Sequence, residues 1–336
     1  MAADWKGSVL DLIGNTPMLH LRTVSEACGA RILAKCEFLE PGYSVKDRVA
    51  LYMVERAERE GRLRPGGTIV EATVGNTGIG LAMVGAAKGY PTVIFMPENV
   101  SAEKIDLLRA MGADVRLAPK TSWGEPEHYY QQARRFAESQ GERAFFVDQF
   151  QNLWNVDAHH ATTGPEIWEQ TGGAVDYLVT GMGTSGTLVG AGKYLKERKP
   201  AVRVIGVDPP GSVYAGWFRD RSEAVEGSTC IEGVGIGRVP GCYDGTVLDE
   251  VIRVDDAAAV SMVWHLARRE GLFVGGSAGL SVAAAYRIAR EEGRGKTLVC
   301  FLCDTGTRYL SRLFSPEWLR EQGLWEAAQG PFEEFC

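Results

Sequence analysis

The chain has 336 residues, 45% of them hydrophobic and 24% charged, with a formal net charge of −7. Such a composition builds a packed core, and the length suits two α/β lobes or one large unit. The acidic balance and the lack of a long lysine or arginine cluster exclude nucleic acid and acidic membrane surfaces as partners.

The start, MAADWKGSVLDLIGNTP, carries charges inside its apolar stretch and has no signal-peptide core. No apolar run reaches the roughly 18 residues of a membrane span, so a cytoplasmic protein is expected. Next, VKDRVALYMVERAEREG reads as an amphipathic helix with Lys46 in its first turn. A cation is out of place there, because the positive end of the helix dipole favours an anion such as Asp47. Strand-like TIVEATV, TVIFMPE, ADVRLAP and AFFVDQF then alternate with the helical stretches NTGIGLAMVGAAKGY, SAEKIDLLRAMG and PEHYYQQARRFAESQG. After a seam near residues 149–155 comes a second series of strands, VDYLVTG, VRVIGVDPP, VLDEVIRV and TLVCFLCD. Alternation of this kind predicts parallel sheets covered by helices on both faces.

Seven scattered cysteines make no disulfide framework. Cys300 and Cys303 have CxxC spacing, but on a buried strand residues three apart face opposite ways, so packing is the expected role. His20, His128, His159, His160 and His265 lack ligand spacing, and no metal site is expected.

Active sites of open α/β sheets lie at the carboxyl ends of strands, and three glycine-rich loops mark such ends. In EATVGNTGIG, small hydroxyls and amides at a helix start suit a carboxylate; a plain turn capped by Asn76 or Thr77 is the alternative. In GMGTSGT, Gly181, Gly183 and Gly186 spell GxGxxG, and the next strand ends in Asp208, which approaches a dinucleotide fingerprint. Thr184, Ser185 and Thr187 fit a terminal phosphate monoester better. In VGGSAGLSVAAA, Ser277 is a candidate ligand or simply a helix cap. A phosphate loop, an anion loop and a misplaced lysine are reconciled by pyridoxal phosphate. Lys46 would form an imine with its aldehyde, and a depressed amine pKa would favour the neutral form needed for exchange and proton abstraction.

The ordered motifs IGNTPM, SVKDR, GNTGIG, QFQNLWN, TTGPEIW, GMGTSGT, EGVGIG and GGSAG resemble the cysteine synthase / cystathionine β-synthase family of fold-type II pyridoxal-phosphate enzymes, from about residue 8 to about residue 313. The resemblance implies two lobes, each with a mainly parallel sheet covered by helices, and an active site in the cleft between them. Residues 1–44 plus 151–336 would form the large cofactor-binding lobe and 45–150 a small mobile lobe. Lys46 would be the imine lysine and α-proton base. Asn76 would bond the cofactor's phenolic oxygen, Gly183, Thr184, Ser185, Gly186 and Thr187 its phosphate, and Ser277 its pyridine nitrogen. Thr73, Val74, Asn76, Thr77, Gln149 and Gly233 would line the substrate. A hydroxyl at the ring nitrogen limits carbanion build-up and suits elimination through an aminoacrylate, followed by addition of a thiol or sulfide. The implied reaction is O-acetyl-L-serine plus sulfide to L-cysteine and acetate, by a homodimer acting on small molecules.

The sequence departs from the pattern at Val74, where serine is usual, which leaves open serine with homocysteine, O-phosphoserine or another nucleophile. Ser185 replaces a common glycine, and Glu40 stands where asparagine is frequent, expected at the rim. Arg219 and Arg221 are read as solvated charges, with an anionic leaving group as the alternative. The tail SPEWLREQGLWEAAQGPFEEFC is expected at the surface or a subunit contact, with no appended regulatory domains and no haem-binding extension. Two other classes remain: a nicotinamide-dependent oxidoreductase using GMGTSGT, and a non-catalytic relative that retains the fold.

Overall fold

Ten strands gather into two separate sheets in a computed structural model, which describes residues 5–336. The first series of strands forms a four-stranded sheet of β3 (Thr68–Ala72), β4 (Thr92–Pro97), β5 (Asp114–Ala118) and β6 (Ala144–Phe146). Their order is β5-β4-β3-β6 and every pairing is parallel. The six-stranded sheet has order β1-β2-β10-β7-β8-β9, from β1 (Met18–His20), β2 (Arg31–Lys35), β7 (Tyr177–Gly181), β8 (Arg203–Asp208), β9 (Glu250–Arg253) and β10 (Thr297–Phe301). Only β1 runs antiparallel to its neighbour. Every strand read from the sequence is present, and β1 and β2 are additional.

The central strands β4 and β10 are buried along their whole length, as strands with helices on both faces must be. Within the four-stranded unit, Val49, Ala50, Met53 and Val54 of the helix Lys46–Arg59 pack with Ile69, Leu81 and Val84. Full burial of each such side chain contributes roughly 1.5–3 kcal/mol. The helix Asn76–Lys88 approaches closely at Gly80, where a Cβ would lie 3.1 Å from both Ala50 Cβ and the Lys46 carbonyl. That approach seats the start of the Lys46 helix beside the loop that follows β3. No helix among the described residues is long and apolar enough to cross a membrane.

Candidate active site

A cavity of about 920 Å³ opens at the carboxyl ends of β3 and β7. Lys46, Thr73, Val74, Asn76, Thr77 and Gln149 line it from one side. From the other come Gly183, Thr184, Ser185, Thr187, Gly233 and Ser277. Of the residues expected to hold the cofactor or the substrate, Gly186 alone stands back from the wall. A smaller cleft of about 360 Å³, among Arg203, Glu250, Arg287 and Glu292, is a groove of part-exposed ion pairs.

Lys46 is the first residue of its helix, and the preceding Val45 supplies no side-chain cap. The backbone here is fixed by the loop after β10. Ser44 bridges Asp304, Val45 N–H donates to the Cys303 carbonyl at 2.9 Å, and Thr305 N–H donates to the Tyr43 carbonyl at 3.3 Å. The ammonium has no hydrogen bond or ion pair among the described residues. Burial lowers its pKa below the ordinary 10.5, against the opposing pull of Cys303, Asp304 and Glu37.

Two residues on, Arg48 ties this turn down. Its Nε and Nη2 meet Glu37 at 2.7 and 2.9 Å, and Nη1 and Nη2 meet Glu166 at 2.6 and 2.8 Å. Nε also lies 3.0 Å from Glu40. Lys35 adds a second cation, 2.6 Å from Glu166. Burial would raise the Glu166 pKa, but Arg48 and Lys35 hold it down at about 2. Burial and Glu37 push Glu40 up to about 8. Glu40 is therefore not at the rim: it is fully buried and accepts the Gly14 N–H at 2.9 Å.

The loop after β7 forms a cup at the start of the helix Gly186–Arg198. Ser185 sits at φ 71, a left-handed conformation that turns the backbone amides inward. Tyr214 locks it by donating to the Gly183 carbonyl at 2.5 Å and accepting from Ser185 Oγ at 2.9 Å. A Cβ on Gly183 would fall 2.4 Å from the Gly233 carbonyl, and one on Gly186 would fall 2.1 Å from Asn155 Oδ1. Behind the cup, His159 Nε2 lies 3.1 Å from Thr187 Oγ1 and Nδ1 lies 2.8 Å from Thr163 Oγ1. Burial keeps this imidazole neutral, its pKa well below 6.5.

The loop after β3 turns at Gly75, with φ 143, and Gly75 N–H donates to Thr73 Oγ1 at 3.1 Å. Neither Asn76 nor Thr77 is the helix cap; Gly75 holds that position. Thr77 Oγ1 donates to Gln149 Oε1 at 2.6 Å, and Gln149 Nε2 donates to the Ala72 carbonyl at 3.2 Å. Asn155, 1% exposed, then joins this loop to the cup: its Nδ2 donates to the Gln149 carbonyl at 2.8 Å and to Thr184 Oγ1 at 2.9 Å. Asn76 is engaged across the cleft, donating to Asp304 at 2.8 Å and accepting from Arg308 at 2.6 Å. One amide hydrogen of Asn76 remains for a ligand.

Ser277 is the second residue of the helix Gly276–Glu291, whose cap is Gly275, so it too is no cap. Its hydroxyl and the Cys303 thiol both line the cavity, and the hydroxyl draws the thiol pKa down, against burial. Strand β10 ends at Phe301, so the alternation that separates Cys300 from Cys303 stops short of Cys303. Burial pushes the Cys303 thiol up to about 11 despite the pull of Lys46, leaving it protonated and weakly nucleophilic near neutral pH.

At the mouth stand Trp123, Lys104, Glu232, Arg238 and Arg312. Lys104 and Arg312 both pair with Glu232, at 2.5 and 2.7 Å. Arg219, paired with Asp220 at 3.0 Å, and Arg221, set over Trp217, are exposed surface charges outside the cavity. Asp208, the acid of the dinucleotide reading, is buried and accepts the Ala215 N–H at 2.8 Å.

A family model described as "Pyridoxal-phosphate dependent enzyme" matches residues 9–304. The chain belongs to that family. Among curated relatives of this pyridoxal-phosphate-dependent enzyme, cysteine synthase 1 of Neurospora crassa is 47% identical over 93% of this chain and 84% of its own. Cysteine synthase 1 of Emericella nidulans is 44% identical over 99% and 91%. Cystathionine beta-synthase of Apis mellifera is 41% identical over 94% of this chain but 63% of its own. Among solved structures, that of an O-ureido-L-serine synthase superposes with a TM-score of 0.85 at 39% identity, covering 92% of this chain and 95% of the other. The enzyme thus has the fold-type II architecture expected from its motifs, and the nicotinamide reading falls away.

The residues present fit the cofactor. The cup is shaped by glycines that admit no Cβ and is lined by three hydroxyls, as a phosphate requires. A desolvated amine without a hydrogen-bonding partner and a serine hydroxyl share the same cavity.

Proposed function

We propose that this enzyme performs β-replacement on an O-activated L-serine, with O-acetyl-L-serine and sulfide giving L-cysteine and acetate as the leading pair. The observation that carries the reading is the Lys46 amine. It is desolvated, free of hydrogen bonds among the described residues and open to a cavity bounded by two helix starts that follow glycine-rich loops. Bound pyridoxal phosphate supplies an electrophilic aldehyde and a conjugated ring that accepts electron density from the amino acid's α-carbon.

The chain's own residues do the rest. Gly183, Thr184, Ser185, Gly186 and Thr187 would hold the phosphate, with Tyr214 and His159 fixing the cup from behind. Ser277 would meet the ring nitrogen as a neutral hydroxyl, and Asn76 the ring oxygen with its remaining amide hydrogen. Thr73, Thr77 and Gln149 would orient the substrate carboxylate, and Val74 and Gly233 would bound the space beside it. Lys46 Nζ would take the α-proton and later return it, for which the lowered pKa suits it. The four-stranded unit, residues 45–150, would close over the substrate. A homodimer and a cytoplasmic location complete the reading, by family likeness.

Val74 sets the second reading within the same chemistry: a side chain that donates no hydrogen bond permits a donor or nucleophile other than the leading pair. The test is steady-state turnover of the purified holoenzyme across a panel of serine donors and acceptors, with products identified by mass. Turnover of O-acetyl-L-serine with sulfide above every other pair supports the leading choice. A faster pair replaces it, and no turnover of any serine donor by a yellow protein refutes β-replacement. Light scattering checks the dimer.

A further inference from the structure

We propose that the mouth of the cavity is a subsite for a second anionic group on a substrate, received by Arg238 against Trp123. The inference rests on the β-replacement reading and adds to it a class of substrate. That reading brings two anions into the cavity, the cofactor phosphate and the donor's α-carboxylate. The phosphate seat is made of glycines and hydroxyls at a helix start and the carboxylate seat of hydroxyls and side-chain amides; Lys104 lays its methylenes on Gly75, but its ammonium is turned to Glu232. The cations at the mouth therefore remain to be accounted for. Two of them, Lys104 and Arg312, pair with Glu232, and Glu103 is also in electrostatic range of Arg312. Arg238 is another cation, in a chain whose formal net charge is −7.

Arg238 makes no hydrogen bond and no ion pair among the described residues. Its one direct partner is the face of Trp123, 4.4 Å from the ring centroid. The indole is itself fixed, stacked on Tyr130 at 4.3 Å and edge-on to Phe150 at 5.4 Å. Stacking positions a guanidinium without using any of its five N–H donors, so the fork is pre-oriented and unspent. The carboxylate in electrostatic range is Asp148, whose oxygens already accept from Tyr130 OH at 3.1 and 3.2 Å. A planar carboxylate or a phosphate on the incoming molecule would match the free edge of the fork. The anion belongs either to the acceptor or to the donor's leaving group, and the two sources give different kinetics.

The holoenzyme is assayed with O-acetyl-L-serine and two acceptors of similar size, mercaptoacetate and 2-mercaptoethanol, then with O-phospho-L-serine as donor. The expected result is a preference in kcat/KM for the anionic acceptor that Arg238→Met lowers about tenfold or more, and that Arg238→Lys lowers less. A fall confined to the preference for the phosphorylated donor also upholds the subsite and assigns its anion to the leaving group. If neither ratio moves in a variant that melts like the parent, the proposal is overturned. Calorimetric binding of succinate and butyrate needs no turnover. Succinate binding more tightly than butyrate, with the difference lost in Arg238→Met, upholds the subsite even if no serine donor reacts and the β-replacement reading fails. Equal binding of the two by the parent enzyme counts against it.

Discussion

Replacing Arg48 by methionine keeps an unbranched stem and removes the charge that contacts three carboxylates. Glu37 and Glu40 are fully buried, and among the described residues Arg48 is the only cation in contact with either; Glu166 keeps Lys35 at 2.6 Å. Stripping one partner from a buried ion pair costs about 3–5 kcal/mol, because the orphaned charge must be carried or protonated in the interior. Protonation is the cheaper route, and it gives the loss a pH signature. Glu40 is already raised from 4.5 to about 8 by burial and by Glu37, with Arg48 pulling the other way. Without Arg48 the folded pKa rises further while the unfolded value stays put. The folded variant then holds a proton that the unfolded chain releases, so stability falls as pH rises above the unfolded value, through the window up to the folded one. Urea unfolding of both proteins at about pH 5.5 and about pH 8.5 measures this, and the gap between them should widen toward the alkaline end. A gap below about 1 kcal/mol, as for an exposed pair, or one that narrows with pH, would refute the reasoning.

Three further outcomes are expected. Asn155→Ala leaves the Gln149 carbonyl and Thr184 Oγ1 without their partner, about 1–3 kcal/mol of interaction. Cofactor dissociation and donor KM should therefore rise together, read by fluorescence titration and steady-state kinetics. Gly186→Ala drives a methyl to within 2.1 Å of Asn155 Oδ1, and overpacking of that kind costs roughly 1–3 kcal/mol; weakened cofactor binding and a lower melting temperature should appear in the same variant. In the cofactor-free protein, burial makes Lys46 lose its proton at lower pH than an ordinary lysine. An amine-directed reagent small enough to enter should then modify Lys46 ahead of surface lysines near neutral pH, as peptide mass mapping would show.

Much of this architecture could be read from the chain because its signals are local. Strands such as TVIFMPE and TLVCFLCD are continuous apolar runs, and each glycine-rich loop directly follows one. Arg31–Lys35 escaped because RILAK, with a charge at either end, is short and pairs with β10, more than 260 residues away. Glu40 was misplaced because its partners, Gly14 and Arg48, are supplied by the fold and not by its own motif. Asn155, Tyr214 and His159 act on loops 28 to 31 residues distant, beyond the reach of a local pattern. Within QFQNLWN the motif points to Gln149 as the substrate residue, whereas the final Asn155 makes the connection between the two loops. Arg238 and Trp123 meet only because two loops converge at the mouth.

The attachment of Ser44 and Val45 to the segment after β10 has a mechanical consequence. Lys46 begins a helix packed into the four-stranded unit, yet its immediate backbone is stitched to the six-stranded one. Were the four-stranded unit to close over a substrate as proposed, a turn tied to both units would keep the aim of the amine while more distant parts of the rim moved.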